Sequence, residues 1–158
     1  MAAKNETAVE RKSDRELVVT RLFDAPREIV FEAWSRPELF QRWWVPKSLG
    51  VPLRACEMDV RTGGGYRLEF GLDAANSMAF FGKYTDVVPP ARIVWTNEES
   101  GEITVTTVTF ENQGVSTLLT LSELYPSKEA CDEALQGSAA GLPMQFEQLD
   151  DLLPELIA

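Results

Sequence analysis

Between Leu53 and Leu124 the chain alternates β-forming segments with turns too short to hold a helix, and this limits the fold more than any other feature. Strands that follow one another through short turns pair antiparallel, because a parallel pair needs a crossover of roughly a dozen residues or more. Leu53–Asp59 leads into a turn at Thr62-Gly63-Gly64-Gly65. In Tyr66–Gly71, Tyr66, Leu68 and Phe70 alternate with Arg67 and Glu69, a period of two. Asp73–Asn76 turns the chain into Met78–Val87, and Pro89-Pro90 makes a corner before Arg92–Thr96. Asn97–Gly101 turns again, Ile103–Phe110 is almost wholly β-branched, and Asn112-Gln113-Gly114 connects it to Ser116–Leu124.

The flanks add a strand and helices. Glu16–Phe23 (ELVVTRLF) is rich in β-formers, which predicts a sheet of six to seven strands in all. Asp24 stands where a helix N-cap would, with Pro26 in the first turn and Ile29, Val30, Ala33 and Trp34 on one helical face. Pro37 opens a second short helix, PELFQRWW, and Pro46 and Pro52 mark a loop. After Pro126 the composition changes to helix formers, with Ser127 as N-cap. Leu142, Phe146, Leu149, Leu153 and Leu156 then form one apolar stripe, while Gly137, Gly141 and Pro143 predict a break near residues 137–143. Residues 1–14 carry no apolar pattern and are expected to form a disordered tail, leaving 15–158 as a single domain. The class is α+β. A terminal helix that buries its stripe against a curved sheet leaves space at the open side, the usual place for a ligand.

Charge and composition remove several functions. The formal charge of −10 opposes nucleic-acid backbones and anionic membranes, so neither is an expected partner. From Glu123 onward there are eight acids and one base, Lys128. They form either a solvated helix face or a docking surface for a basic partner. Histidine is absent, which removes the commonest general base and metal ligand, and the two cysteines, Cys56 and Cys131, lie far apart as small core residues. No metal and no cofactor is therefore expected. The glycines at 63–65 precede a strand and not a helix, so they read as a turn needing positive φ and not as a phosphate cradle. No secretory h-region and no apolar stretch of membrane length is present, so the expected address is the cytoplasm.

Aromatic residues carry the strongest functional signal. Trp34, Trp43, Trp44, Tyr66, Leu68, Phe70, Phe80, Tyr84, Trp95, Phe110 and Phe146 are the candidate ligand-lining set, with Tyr66 and Tyr84 as polar handles. Phe80 and Phe81 are adjacent in a strand and point to opposite faces, so one of them lies outside, at a surface patch or a homodimer contact. Glu69 should face away from Tyr66, Leu68 and Phe70, and Arg54, Arg61 and Arg67 are placed to neutralise Glu57, Asp59 and Glu69. Catalysis would need one of Glu57, Asp59, Glu69 or Glu123 to point into the pocket.

Four local patterns resemble one family: LVVTRLFDAPREIVFEAWSRPELFQRWW, DVRTGGGYRLEF, FFGKYTDVVPPARIVWTN and GLPMQFEQLDDLL. They resemble the START-like helix-grip superfamily (SRPBCC, Bet v-like fold), in the subfamily related to the C-terminal domain of the activator of the heat-shock-protein-90 ATPase. The likeness runs from about Glu16 to Leu153. It implies a helix-grip fold and a cavity, since similar folds bind lipids, sterols, polyketides or plant hormones. The sequence departs from the pattern after Gly141, where the family often has an aromatic residue and this chain has Leu142 and Pro143. Nothing matches the activator's N-terminal domain, so stimulation of a chaperone ATPase does not carry over. The expected function is non-enzymatic binding of a hydrophobic or aromatic small molecule. The alternatives are a chaperone-associated or stress-response module, and a cyclase- or hydrolase-like enzyme using a buried carboxylate.

Overall fold

The computed structural model describes residues 6–45, 53–71, 73, 75, 77–98, 101–137 and 141–157. The loop marked by Pro46 and Pro52, Asn76 of the turn after Gly71, and the centre of the expected break between Gly137 and Gly141 lie outside the described residues.

The elements run β1 (Ala8–Ser13), β2 (Glu16–Phe23), α1 (Arg27–Ser35), α2 (Pro37–Trp43), β3 (Leu53–Met58), β4 (Gly65–Gly71), β5 (Ser77–Val88), β6 (Arg92–Asn97), β7 (Thr104–Gln113), β8 (Ser116–Leu124), α3 (Lys128–Gln136) and α4 (Leu142–Ile157). The strands make one curved antiparallel sheet in the order β1-β2-β8-β7-β6-β5-β4-β3. Alternation fixes which face is inside: β2 buries Leu17, Val19, Arg21 and Phe23, and β8 buries Thr117, Leu119 and Leu121. α4 lays Leu142, Phe146, Leu149 and Leu153 toward the core, as the stripe requires. Phe146 meets Phe23 edge-on at 5.7 Å, and Asp150 holds buried Arg21 at 2.9 Å, tying α4 to β2. This is the α+β helix-grip arrangement.

Two details differ from the sequence reading and a third agrees with it. The sheet has eight strands, because β1 forms inside the stretch read as tail. All six residues of β1 are exposed, so it is held by backbone pairing to β2 and leaves no burial pattern to read. Asp24 does not cap α1: Pro26 occupies the capping position, and Asp24 accepts a hydrogen bond from Ser116 Oγ at 3.5 Å. The break expected near residues 137–143 is present and divides the C-terminal helical region into α3 and α4. Ser127 caps α3 by accepting from the Ala130 amide at 3.1 Å, and α3 ends at Gly137.

Two glycine sites shape the sheet. Gly63 has φ +92°, as the turn reading required, and a Cβ on Gly64 would lie 2.0 Å from the Asp59 carbonyl oxygen. The Gly63 amide donates to the Tyr84 carbonyl and the Tyr84 amide donates to the Gly64 carbonyl, so this turn docks on β5. β5 pairs with β4 over Ser77–Lys83 and with β6 from Tyr84 onward. At the switch, a Cβ on Gly82 would lie 1.8 Å from the Thr96 carbonyl oxygen. The missing side chain lets the end of β6 lie directly on β5.

Candidate functional site

A cavity of about 860 Å³ lies between the sheet and the helices. Its aromatic wall follows from the period of two. Tyr66, Leu68 and Phe70 of β4 face inward, and so do Phe80 and Tyr84 of β5 and Trp95 of β6. Phe70 and Phe80 meet edge-on at 5.4 Å, and Tyr66 and Tyr84 are 5.6 Å apart between ring centroids. Trp34 of α1 and Trp44 at the end of α2 complete the expected lining.

The structure does not bring Trp43, Phe110 or Phe146 to the cavity. Trp43 is fully buried behind the wall, with its indole N–H donating to the Ala33 carbonyl at 2.9 Å. Phe110 lies farther along β7, edge-on to Phe31 of α1 at 5.2 Å. Phe146 is enclosed between Phe23 and Trp34. The candidate lining set left out Phe40, Met58, Ile93, Asn97, Thr104, Tyr125 and Gln145, all of which line the space, as does Leu142, singled out from the sequence only as a departure from the family pattern. Leu142 follows Gly141 where the family pattern has an aromatic residue, so this departure changes the cavity wall itself. Phe81 points outward and is exposed, as its parity demands.

α4 also fixes the Trp44 side of the wall. Gln145 donates to the Trp44 carbonyl at 2.5 Å, and Gln148 donates to the carbonyls of Trp43 and Val45 at 2.8 Å each. These bonds satisfy carbonyls that the end of a helix leaves without intrahelical partners.

Of the four carboxylates singled out from the sequence, Glu123 alone lines the cavity. Asp59 pairs with Arg61 at 2.9 Å, Glu69 lies near Arg54 and Arg67, and Glu57 is exposed. Glu123 sits among hydrogen-bond donors. Tyr125 donates to its Oε1 at 2.5 Å and Thr106 Oγ1 to its Oε2 at 3.2 Å. Behind Thr106, Asn97 Nδ2 donates to Thr106 Oγ1 at 3.0 Å, and Tyr66 donates to Asn97 Oδ1 at 2.9 Å and to the Thr96 carbonyl at 2.7 Å.

Burial pushes the Glu123 carboxyl above the usual glutamate range, against the two hydrogen bonds, which pull it down. Burial likewise raises the Tyr84 hydroxyl, with Cys56 and Asp59 adding to it, and raises the Cys56 thiol. Both groups therefore stay protonated near neutral pH and offer no ready nucleophile. Among the described residues no group of three or more His, Cys, Asp or Glu side chains is arranged to hold a metal ion.

The Glu123 shift has a sign that can be measured. An unfolded chain releases this proton near the ordinary value of about 4.3, while the folded chain keeps it to higher pH. Its contribution to stability is complete below that value and is lost as pH rises through the folded pKa. Glu123→Gln takes no part in this loss but gives up about 1 kcal/mol of hydrogen bonding at every pH, because an amide nitrogen cannot accept from Thr106. The melting temperature of the variant relative to the parent should therefore rise between pH 4 and pH 8. A gap that stays constant across that range would refute the assignment.

The model of the family described as Activator of Hsp90 ATPase homolog 1-like protein matches residues 24–154. No curated protein matches the chain. Solved structures do. A protein from Rhodobacter sphaeroides superposes with a TM-score of 0.86 at 22% identity, covering 96% of this chain and 99% of that one. Protein CV1439 from Chromobacterium violaceum gives 0.73 at 28% identity, covering 87% and 96%. The AHSA1-like protein from Aeromonas hydrophila gives 0.69 at 17% identity, covering 85% and 92%. At such identities the likeness is one of fold.

Proposed function

The chain belongs to the Activator of Hsp90 ATPase homolog 1-like family, and from that premise we propose that it binds a hydrophobic or aromatic small molecule inside the sheet. The observation that carries this reading is the cavity: about 860 Å³ of space walled by aromatic side chains from β4, β5, β6 and the two short helices. A volume of that order suits a drug-sized ligand, and apolar walls with a few polar groups are what such sites present.

The neutral probe N-phenyl-1-naphthylamine tests it. Its fluorescence should rise saturably with one site per chain, and tryptophan emission should fall as Trp34, Trp44 and Trp95 meet the ligand. Leu68→Trp should lower the affinity at least tenfold, because the larger ring projects into the space the probe needs. The stability cost should stay below about 1.5 kcal/mol, since the ring enters a void and not a packed core. Absence of saturable binding by the parent protein would sink the reading, and no helix of the described residues is long and apolar enough to cross a membrane and complicate the measurement.

A further inference from the structure

We propose that the ligand of this cavity carries a basic nitrogen beside its apolar body, and that Glu123 holds that nitrogen as an ion pair. The inference rests on the binding function above and names the chemistry of its ligand.

A chain of hydrogen bonds at the polar end of the cavity leads to Glu123, although Tyr66 at its far end also donates to the Thr96 carbonyl. Tyr66 donates to Asn97, Asn97 donates to Thr106, Thr106 donates to Glu123 Oε2, and Tyr125 donates to Oε1. Aligned donors of this kind polarise one another and strengthen the last bond of the chain, the one that Thr106 donates to Glu123. Glu123 thus accepts at both oxygens, the arrangement that suits a carboxylate. Yet among the described residues no ion pair reaches it, no lysine or arginine lines the cavity, and the chain has no histidine. An ionised carboxyl in an apolar wall without a counter-ion is costly. Donors that favour the anion and surroundings that oppose it are in conflict, and a cation delivered by the ligand resolves that conflict.

Two observations favour an organic ammonium over a metal ion. Among the described residues Glu123 is the one carboxylate that lines the cavity, and no group of three or more His, Cys, Asp or Glu side chains is arranged to hold a metal ion. The row of Glu123 in the sheet also continues into aromatic rings. Glu123 pairs with Thr106, Thr106 with Trp95 and Trp95 with Tyr84, so two rings lie on the same row within about 15 Å across strands roughly 4.8 Å apart. Both rings line the cavity, where they can receive the apolar body of a ligand whose nitrogen lies at Glu123.

Three matched probes decide the matter by calorimetry at about pH 7.5, where the amine is cationic. They are 2-(2-naphthyl)ethylamine, 2-(2-naphthyl)ethanol and 2-naphthylacetate. The parent protein should bind the ammonium at least tenfold more tightly than the alcohol, and the carboxylate most weakly. Glu123→Gln should close the gap between ammonium and alcohol. Equal affinity for those two, or tightest binding of the carboxylate, would overturn the inference while leaving the binding function intact. A gap that persists in the variant would overturn the role of Glu123. Failure of all three probes to bind would overturn the inference and the binding function together. The comparison on the parent protein decides the ligand's charge even if the variant folds poorly.

Discussion

Gly82→Ala should lower the melting temperature by roughly 6–12 °C, the equivalent of about 3 kcal/mol in a domain of this length. The added methyl would stand 1.8 Å from the Thr96 carbonyl oxygen and 2.7 Å from its carbonyl carbon, so backbone must move, since no flexible side chain is available to swing aside. The same carbonyl accepts the Tyr66 hydroxyl at 2.7 Å, and the Thr96 hydroxyl accepts the Lys83 amide at 3.0 Å. Displacing Thr96 therefore loosens the crossing of β5 and β6 and the polar end of the cavity together. Gly63→Ala is the control. Gly63 has φ +92° but nothing within 4 Å of an added Cβ, so alanine there should cost only about 1–2 kcal/mol of backbone strain. Thermal denaturation followed by circular dichroism separates the two. Equal shifts for both variants would mean that the approach of β6 to Gly82 yields to a methyl group at no more cost than the strained turn at Gly63, and would refute the close contact as a constraint.

The frame of the fold was legible because burial in this sheet is one-sided. β2 alternates buried and half-buried positions along its whole length and β8 does so as far as Leu121, and the boundaries read from the sequence, Glu16–Phe23 and Ser116–Leu124, are those of the structure. β1 was not legible for the converse reason: a strand with both faces in water writes no alternation. In the site, parity told which residues face inward but not how far along the strand the cavity reaches. Trp95 and Phe110 both face inward. Trp95 is level with Thr106 and Glu123 and meets open space, whereas Phe110 is level with Leu119 and lies under α1. Glu123 has the parity of Thr117, Leu119 and Leu121, so its inward direction was readable, and Tyr125 continues the same parity just beyond the strand. The chain of donors converging on Glu123 was not readable, because it joins β4, β6, β7 and β8 through registers that only the folded sheet defines.

Trp43→Ala should cost about 3–5 kcal/mol, whereas Trp44→Ala should remove ligand affinity at a smaller cost in stability. The two residues are neighbours at the end of α2, and their sequence context gives no reason to treat them differently. Both flank the face of Phe40, one three and the other four positions along. Packing separates them. The Trp43 ring is wholly buried, 4.8 Å from Trp34 and 5.3 Å from Phe40, and its N–H is bound to the Ala33 carbonyl. Alanine at 43 removes a large ring from the centre of the cluster and leaves that carbonyl without its donor, so the surrounding rings cannot collapse fully into the void. Trp44 stacks on Phe40 at 4.8 Å but keeps its other side toward the cavity, and its carbonyl, not its ring, receives the bond from Gln145. Alanine at 44 leaves that backbone contact in place and takes away a wall. Urea denaturation and N-phenyl-1-naphthylamine titration of both variants should therefore give opposite orders: Trp43→Ala the larger loss of stability, Trp44→Ala the larger loss of affinity per unit of folded protein. The same order in both measurements would mean that the cavity wall and the aromatic core are one mechanical unit, and that Trp44 has no separate part in binding.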